Sequence, residues 1–142
     1  MAVIGFGFTK LLIEKKGNAV GKISINNNIS LKDVKDVELN LGKQKQKAVN
    51  FNFEFTSKYE PNIGDIAIEG ELICVFDEKK TKEIKDEWKK SKSVPKDIMI
   101  SVLTNVLNKC NIEALLLSKE LSLPAPIPLP KVELSPEKEV KK

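Results

Sequence analysis

The side chains of this sequence best suited to chemistry are three carboxylates that lie close together, Asp65, Glu69 and Glu71. Carboxylate oxygens are the ligands that hard divalent cations prefer, so an enzyme built on this group would act with a metal. Glu69 and Glu71 are two residues apart and would share one face of a strand. A pair of exposed surface acids gives the same pattern, and this simpler interpretation is the one we adopt.

Two further motifs are incomplete. Gly5-Phe6-Gly7-Phe8 has the glycines of a phosphate-binding loop, but such a loop needs a third glycine and a following helix. Cys74 and Cys110 each lie among apolar neighbours, which predicts buried, unpaired thiols. There is no CxxC motif and no histidine, so nearly every common zinc arrangement is excluded. We therefore expect no metal and no cofactor.

The missing residue types also limit the function. All 24 basic residues are lysine, so the chain has no arginine fork for carboxylate, phosphate or guanine. With no histidine, it has no ready proton shuttle at neutral pH and no Ser-His or Cys-His pair. These absences argue against most enzymes, and we predict a protein without catalytic activity.

Length and composition predict one soluble domain over residues 1–134, followed by a charged, disordered tail at 135–142. The chain has 142 residues, of which 41% are hydrophobic and 31% charged. No apolar run approaches the roughly 18 residues that span a bilayer. The apolar N-terminus lacks the basic lead-in and cleavage site of a signal peptide, so we predict a cytoplasmic protein.

Alternating hydrophobicity predicts several antiparallel strands. Ile4 to Glu14 changes phase near Thr9-Lys10, which indicates a bulge. Val49 to Phe55 alternates strictly and forms a hairpin with the run from Ile66 to Phe76. A shorter strand is expected around Val20 to Asn26.

The region between the first two strands and the hairpin is ambiguous. Ser30 and Asp33 resemble the cap of a short helical turn over Leu31 and Val34, after which residues 37–41 alternate as a strand does. Residues 43–47, KQKQK, are predicted to be a solvated loop.

Two helices are predicted to follow the sheet. Thr81 to Lys90 is highly charged and contains Trp88, the only tryptophan. Ser93-Val94-Pro95 then has the pattern of a cap and a first-turn proline, and residues 96–121 contain no glycine or proline. The apolar zone of this second helix is wider than one sheet would cover, which predicts self-association. The expected oligomer interface consists of Met99, Leu103, Val106, Cys110 and Leu117.

A proline occupies every second position in Leu123 to Pro130, LPAPIPLP, directly after the long helix. Alternating prolines cannot lie in a central strand and favour an extended, polyproline-like backbone. The spacing of two differs from the PxxP pattern that SH3 domains bind. Leu123, Ile127 and Leu129 are large and apolar, so the segment is expected to lie on the protein itself, either as a cover over the core or as the wall of a groove.

These elements, in this order, resemble the SecB family of export chaperones. Phe8 to Glu14 resembles that family's opening strand, Val49 to Phe55 and Ile66 to Phe76 its central hairpin, and Cys110 to Leu121 its main helix. Leu121 to Leu129 resembles its Pro- and Leu-rich segment after the helix. The resemblance implies an α+β fold, with a twisted antiparallel sheet of about four strands and a long C-terminal helix packed on one face.

The resemblance also implies a homo-oligomeric chaperone, a dimer or tetramer, that binds unfolded or nascent polypeptide in apolar grooves without nucleotide hydrolysis, as in protein transport. The residues expected to line the groove are Phe76, Trp88, Leu121, Leu123, Ile127 and Leu129. The family is strongly acidic and meets the SecA motor through an acidic sheet face. This chain has a net charge of +4, which argues against a SecA-like partner. The family alone leaves open whether clients come from export, quality control or antitoxin guarding.

Two other functions fit the sequence. A nucleic-acid-binding module would use the KQKQK loop and the lysines between residues 79 and 92, with a pI near 9.0. Acidic residues interleave with the second cluster, however, as on a solvated helix face. A non-catalytic assembly subunit would show the same exposed apolar surface as a chaperone.

Overall fold

The computed structural model describes residues 2–17 and 21–127. In chain order the elements are β1 (Ala2–Lys15), β2 (Ser24–Leu41), β3 (Gln44–Glu60), β4 (Gly64–Val75), α1 (Glu78–Ser91) and α2 (Lys96–Glu120). The strands form one antiparallel sheet in the order β1-β4-β3-β2, with both helices on the same face. This is the predicted α+β architecture. The expected tail at 135–142 lies outside the described residues.

The alternation of β3 determines which face of the sheet is buried. Val49, Phe51, Phe53 and Phe55 are all 0% exposed and form the centre of the core. The residues between them point to the opposite face, where Asn50 donates a hydrogen bond to Glu71 on β4 over 3.0 Å. The predicted hairpin of β3 and β4 is confirmed.

The N-terminal strand β1 pairs with β4 along its whole length. Its register shifts between Phe8 and Lys10, which confirms the bulge predicted from the phase change. The side chain of Phe6 stacks on Phe53 with ring centroids 5.5 Å apart. This contact across β4 is possible because Gly70 lies between them, and a Cβ there would be 2.6 Å from the Phe53 ring. The Gly5-Phe6-Gly7 motif is therefore part of a strand.

The structure corrects the prediction for the second strand. β2 is a single strand of 18 residues, and the helical turn predicted over Leu31 and Val34 is wrong. The register against β3 shifts between Leu31 and Asp33, and the Asp33 carboxylate accepts a hydrogen bond from the Val34 backbone at 2.9 Å. Asp33, which resembled part of a helix cap, therefore lies at a β-bulge. The predicted KQKQK loop is also wrong, because β3 begins at Gln44.

Both predicted helices are present, and they begin in different ways. Asp77 caps α1 by accepting a hydrogen bond from the Lys80 backbone at 2.7 Å. The cap predicted at Ser93 is wrong, because Pro95 occupies the N-cap position of α2 and makes no side-chain hydrogen bond. The buried side of α2 repeats every four residues, as Ile98, Val102, Val106, Cys110, Ala114 and Ser118.

Candidate functional site

The proline-rich segment is attached to the sheet through its carbonyl groups. The Tyr59 hydroxyl on β3 donates a hydrogen bond to the Pro124 carbonyl at 2.6 Å, and the Asn27 amide on β2 donates one to the Pro126 carbonyl at 2.8 Å. Leu123 is 6% exposed. Residues 123–127, which we call the strap, therefore cross from β3 to the edge strand β2. They cover the core and also form a wall, so both interpretations of the prolines apply.

The strap ends at a small apolar cleft between the edge strand and α2. This cleft has a volume of about 290 Å³. Its lining residues are Asn27, Asn28, Ile29, Phe55, Leu107, Asn111 and Ile127. Apolar side chains form most of its surface, and the amide side chains offer hydrogen bonds without charge. We call it the apolar cleft.

Two more clefts lie further along β2, where α1 packs on the edge strand. The first has a volume of about 280 Å³ and is lined by Val34 and Trp88 together with charged residues. The second, of about 580 Å³, has Phe76 in its lining. Asp36, Lys85 and Asp86 line both, so the two adjoin, and we call them together the charged cleft.

The three openings follow one another along a single strand. The β2 residues in their linings run from Asn27 to Asp36. At about 3.3 Å per strand residue, this distance is about 30 Å. We call the whole row the β2 groove. Residues 30–32 of β2 line none of the three openings, so the row is interrupted between the apolar cleft and the charged cleft. An extended chain of about nine residues would span the whole row.

The structure places the six predicted groove residues in three different ways. Phe76, Trp88 and Ile127 line the β2 groove, although Trp88 is only 8% exposed. Leu123, the first residue of the strap, belongs to the core, and Leu121 packs against that core. Leu129 lies outside the described residues.

The residues on the strand side of the groove were not among those predicted. Ile29 and Phe55 are cross-strand partners on β2 and β3, and Leu107 faces them from α2. The alternation of β3 predicted that Phe55 would be buried, but the pairing of β2 with β3 was needed to place Ile29 beside it. No motif in the sequence indicates that pairing.

The long helix carries a second apolar surface, away from the sheet. Ile100 is 59% exposed, Ile112 62% and Leu116 53%. Of the predicted oligomer interface, Val106 and Cys110 are 0% exposed and belong to the chain's own core. Met99 and Leu117 are half-buried against the core, and Leu103 is also half-buried. An interface on α2 would therefore use the exposed residues instead of Val106 and Cys110.

The residues that suggested chemistry lie apart from the groove. Asp65 forms an ion pair with Lys16 at 2.8 Å, and Glu69 is 3.6 Å from both Lys10 and Lys32. Within residues 2–17 and 21–127, no cluster of three acidic or cysteine side chains could hold a metal ion.

The two thiols are unsuited to nucleophilic chemistry. Cys74 and Cys110 are both 0% exposed. Burial raises the pKa of Cys74 to about 11 and that of Cys110 to about 12, so both remain protonated at neutral pH.

The sheet order and the long helix across one face define a SecB-like fold. The chain superimposes on the SecB-like chaperone of Mycobacterium tuberculosis, solved in complex with a ChAD peptide from the HigA1 antitoxin, with a TM-score of 0.58. The match covers 92% of this chain and 88% of the other at 8% sequence identity. No family model and no curated protein sequence matches this chain. In the described part, no helix is long and apolar enough to cross a membrane.

Proposed function

We propose that this protein is a molecular chaperone that binds unfolded polypeptide in the β2 groove, without nucleotide hydrolysis. The observation that carries the proposal is this row of clefts, which spans about 30 Å, with Leu107, Ile127 and Phe76 among its apolar lining residues. Its strand-like shape suits an extended chain, and its apolar lining suits side chains that a folded protein would bury. The SecB-like fold supports the same function, since the mycobacterial structure holds a bound peptide.

The edge position of β2 gives the groove a second means of binding. Among residues 2–17 and 21–127, β2 pairs only with β3, so alternate backbone N–H and C=O groups along its other side are open to another strand. An extended client can bond to this edge whatever its sequence, while its side chains enter the clefts. This combination suits a chaperone because main-chain bonds do not select a particular client.

The proposal includes a homo-oligomer in the cytoplasm. The exposed side of α2 and the N-terminal strand, where Val3, Ile4, Leu11 and Leu12 are each more than 40% exposed, are the surfaces that a second copy would cover. Dimers and tetramers both fit these surfaces. The mixed charges on the outer sheet face, where Lys10 and Lys32 neutralise Glu69, disfavour a SecA-like partner.

Fluorescence anisotropy of a labelled, permanently unfolded polypeptide, titrated at low and at high salt, tests the function. We expect saturable binding that persists at high salt and weakens in Leu107→Ser and Ile127→Ser, because both side chains line the apolar cleft. Ile73→Ser is the matched control, since Ile73 is half-buried on the opposite face of the sheet, where it pairs with Asn50.

Three results contradict the proposal. An equal loss of affinity in all three variants means that the β2 groove is not the polypeptide-binding site. Binding that disappears at high salt favours a lysine-driven nucleic-acid module. No binding under either condition leaves an assembly subunit.

A further inference from the structure

The lining of the β2 groove changes in charge along its length. Of the residues that the structure describes, no charged one lines the apolar cleft. The charged cleft is lined by six lysines, namely Lys45, Lys47, Lys82, Lys85, Lys89 and Lys92. It is also lined by four acids, Asp33, Asp36, Glu78 and Asp86. One end of the groove is therefore neutral and the other has an excess of positive charge.

Ion pairing inside the protein leaves this excess available to a ligand. Lys85 is paired with Asp36, and Lys45 with Glu38. Among the described residues, Lys47, Lys82 and Lys89 make no ion pair.

Among the described residues, two of the four acids are in ion pairs, against two of the six lysines, so four lysines and two acids of the lining are left without an ion pair. Asp33 pairs with Lys35 at 3.6 Å, and Glu78 lies in the first turn of α1, where the helix dipole stabilises a carboxylate. Asp86 is the remaining acid of the lining. The Lys92 ammonium group lies 5.7 Å from the centroid of the Trp88 ring, which also lines the charged cleft.

From this asymmetry we infer that the β2 groove selects polypeptide segments that are apolar at one end and rich in aspartate or glutamate at the other. The inference rests on the proposed function and specifies the clients of the same site. Lysine ammonium groups attract carboxylates as point charges and impose no fixed geometry, which suits side chains of an unfolded chain. Trp88 is too buried to stack on a base, which favours a polypeptide over a nucleic acid.

Three fluorescent peptides of ten residues test the inference. All share one apolar half, and the other half carries four glutamates, four serines or four lysines. We expect the glutamate peptide to bind most tightly and the lysine peptide least. Since exposed ion pairs are weak, we expect the Kd at low salt to rise about fivefold from the glutamate to the serine peptide and about fivefold again to the lysine peptide. These differences in Kd should become smaller at high salt, because salt screens the charges.

Charge-reversal variants assign the effect to the charged cleft. Lys47→Glu and Lys82→Glu should lower the affinity for the glutamate peptide and raise the affinity for the lysine peptide. The affinity for the serine peptide should not change. Lys58→Glu makes the same change in net charge on the opposite face of the sheet and should leave the order of the peptides intact.

Different results overturn the inference and the proposed function. Equal affinity for the three peptides, with saturable binding of each, refutes charge selection and leaves the chaperone function standing. Failure of the serine peptide to bind contradicts the apolar groove itself. Tighter binding of a single-stranded oligonucleotide of equal charge than of the glutamate peptide would assign the lysines to nucleic acid and refute the inference.

Discussion

Replacing Tyr59 by Phe tests whether the strap is held to the sheet as the structure indicates. The change removes only the hydroxyl that donates to the Pro124 carbonyl at 2.6 Å, while the buried ring remains. That carbonyl has no second partner among the described hydrogen bonds, and proline supplies no N–H to the strap. The variant therefore isolates one hydrogen bond.

The magnitude follows from the surroundings of this bond. A neutral hydrogen bond contributes about 1 kcal/mol net, and leaving a partly buried acceptor unpaired raises the cost, so we expect a loss of about 1–2 kcal/mol. For a chain of this length, this corresponds to a fall in Tm of about 3–6 °C. Asn27→Ala removes the bond to Pro126 and the one from Ser57, and we expect a similar loss.

Urea unfolding of the two single variants and the double variant measures the coupling. Because both residues hold one strap, loss of the first bond loosens the second, and the double variant should be less destabilised than the sum by about 0.5 kcal/mol or more. Thr81→Val is the control. It removes a hydroxyl bond of 2.8 Å to the Asp77 carbonyl in α1, away from the strap, and its effect should add to that of Asn27→Ala.

Client binding gives the second measurement. Tyr59→Phe should weaken binding in the apolar cleft, because Ile127 at the end of the strap lines it. Asn105→Ala, which removes a side-chain bond of 2.9 Å to the Ser101 carbonyl within α2, should leave binding unchanged. Additive stabilities for Tyr59→Phe and Asn27→Ala, together with unchanged binding, would refute the reasoning.

Three further predictions concern packing, pH and assembly. Gly70→Ala places a Cβ against the Gly7 carbonyl oxygen and should destabilise the fold by about 3 kcal/mol in urea unfolding, whereas Gly7→Ala, with open space around its Cβ, should cost less than about 1 kcal/mol. The raised pKa values of Cys74 and Cys110 mean that the folded state disfavours the thiolates; the free energy of unfolding should therefore fall as pH rises above about 8.5, a slope that Cys110→Ala should reduce. Ile112→Glu should lower the oligomer mass in sedimentation velocity with unchanged circular dichroism, and an unaltered mass would exclude that face of α2.

The elements predicted correctly from the sequence are those in which apolar residues recur at a regular interval. The alternation in β3 and the proline-free run of α2 each determine one structure, because no competing pattern overlaps them. Ser30 and Asp33 misled the prediction for β2, since cap residues and bulge residues are the same polar types. Pairing with the long strand β3 then outweighed the local preference.

The candidate site was predicted less fully for a physical reason. The apolar character of Ile127 and Phe76 is visible in the sequence, but a groove needs two walls, and the second comes from residues far away in the chain. Which β2 residue faces Leu107 depends on the register of the part of β2 that precedes the bulge at residue 32. A shift of this register by one residue would turn Ile29 to the other face.

The position of β1 at the edge beside β4 has a consequence for synthesis on the ribosome. Ala2 pairs with Val75 and Lys15 with Gly64. After β1 has been synthesised, about 50 to 70 further residues must therefore be added before its partner β4 exists. The hairpin of β2 and β3 joins neighbouring residues and can form without it. During this interval, the apolar side chains of β1 are exposed on the nascent chain. A protein that we propose to bind unfolded segments is thus itself an unfolded segment with exposed apolar side chains early in its synthesis.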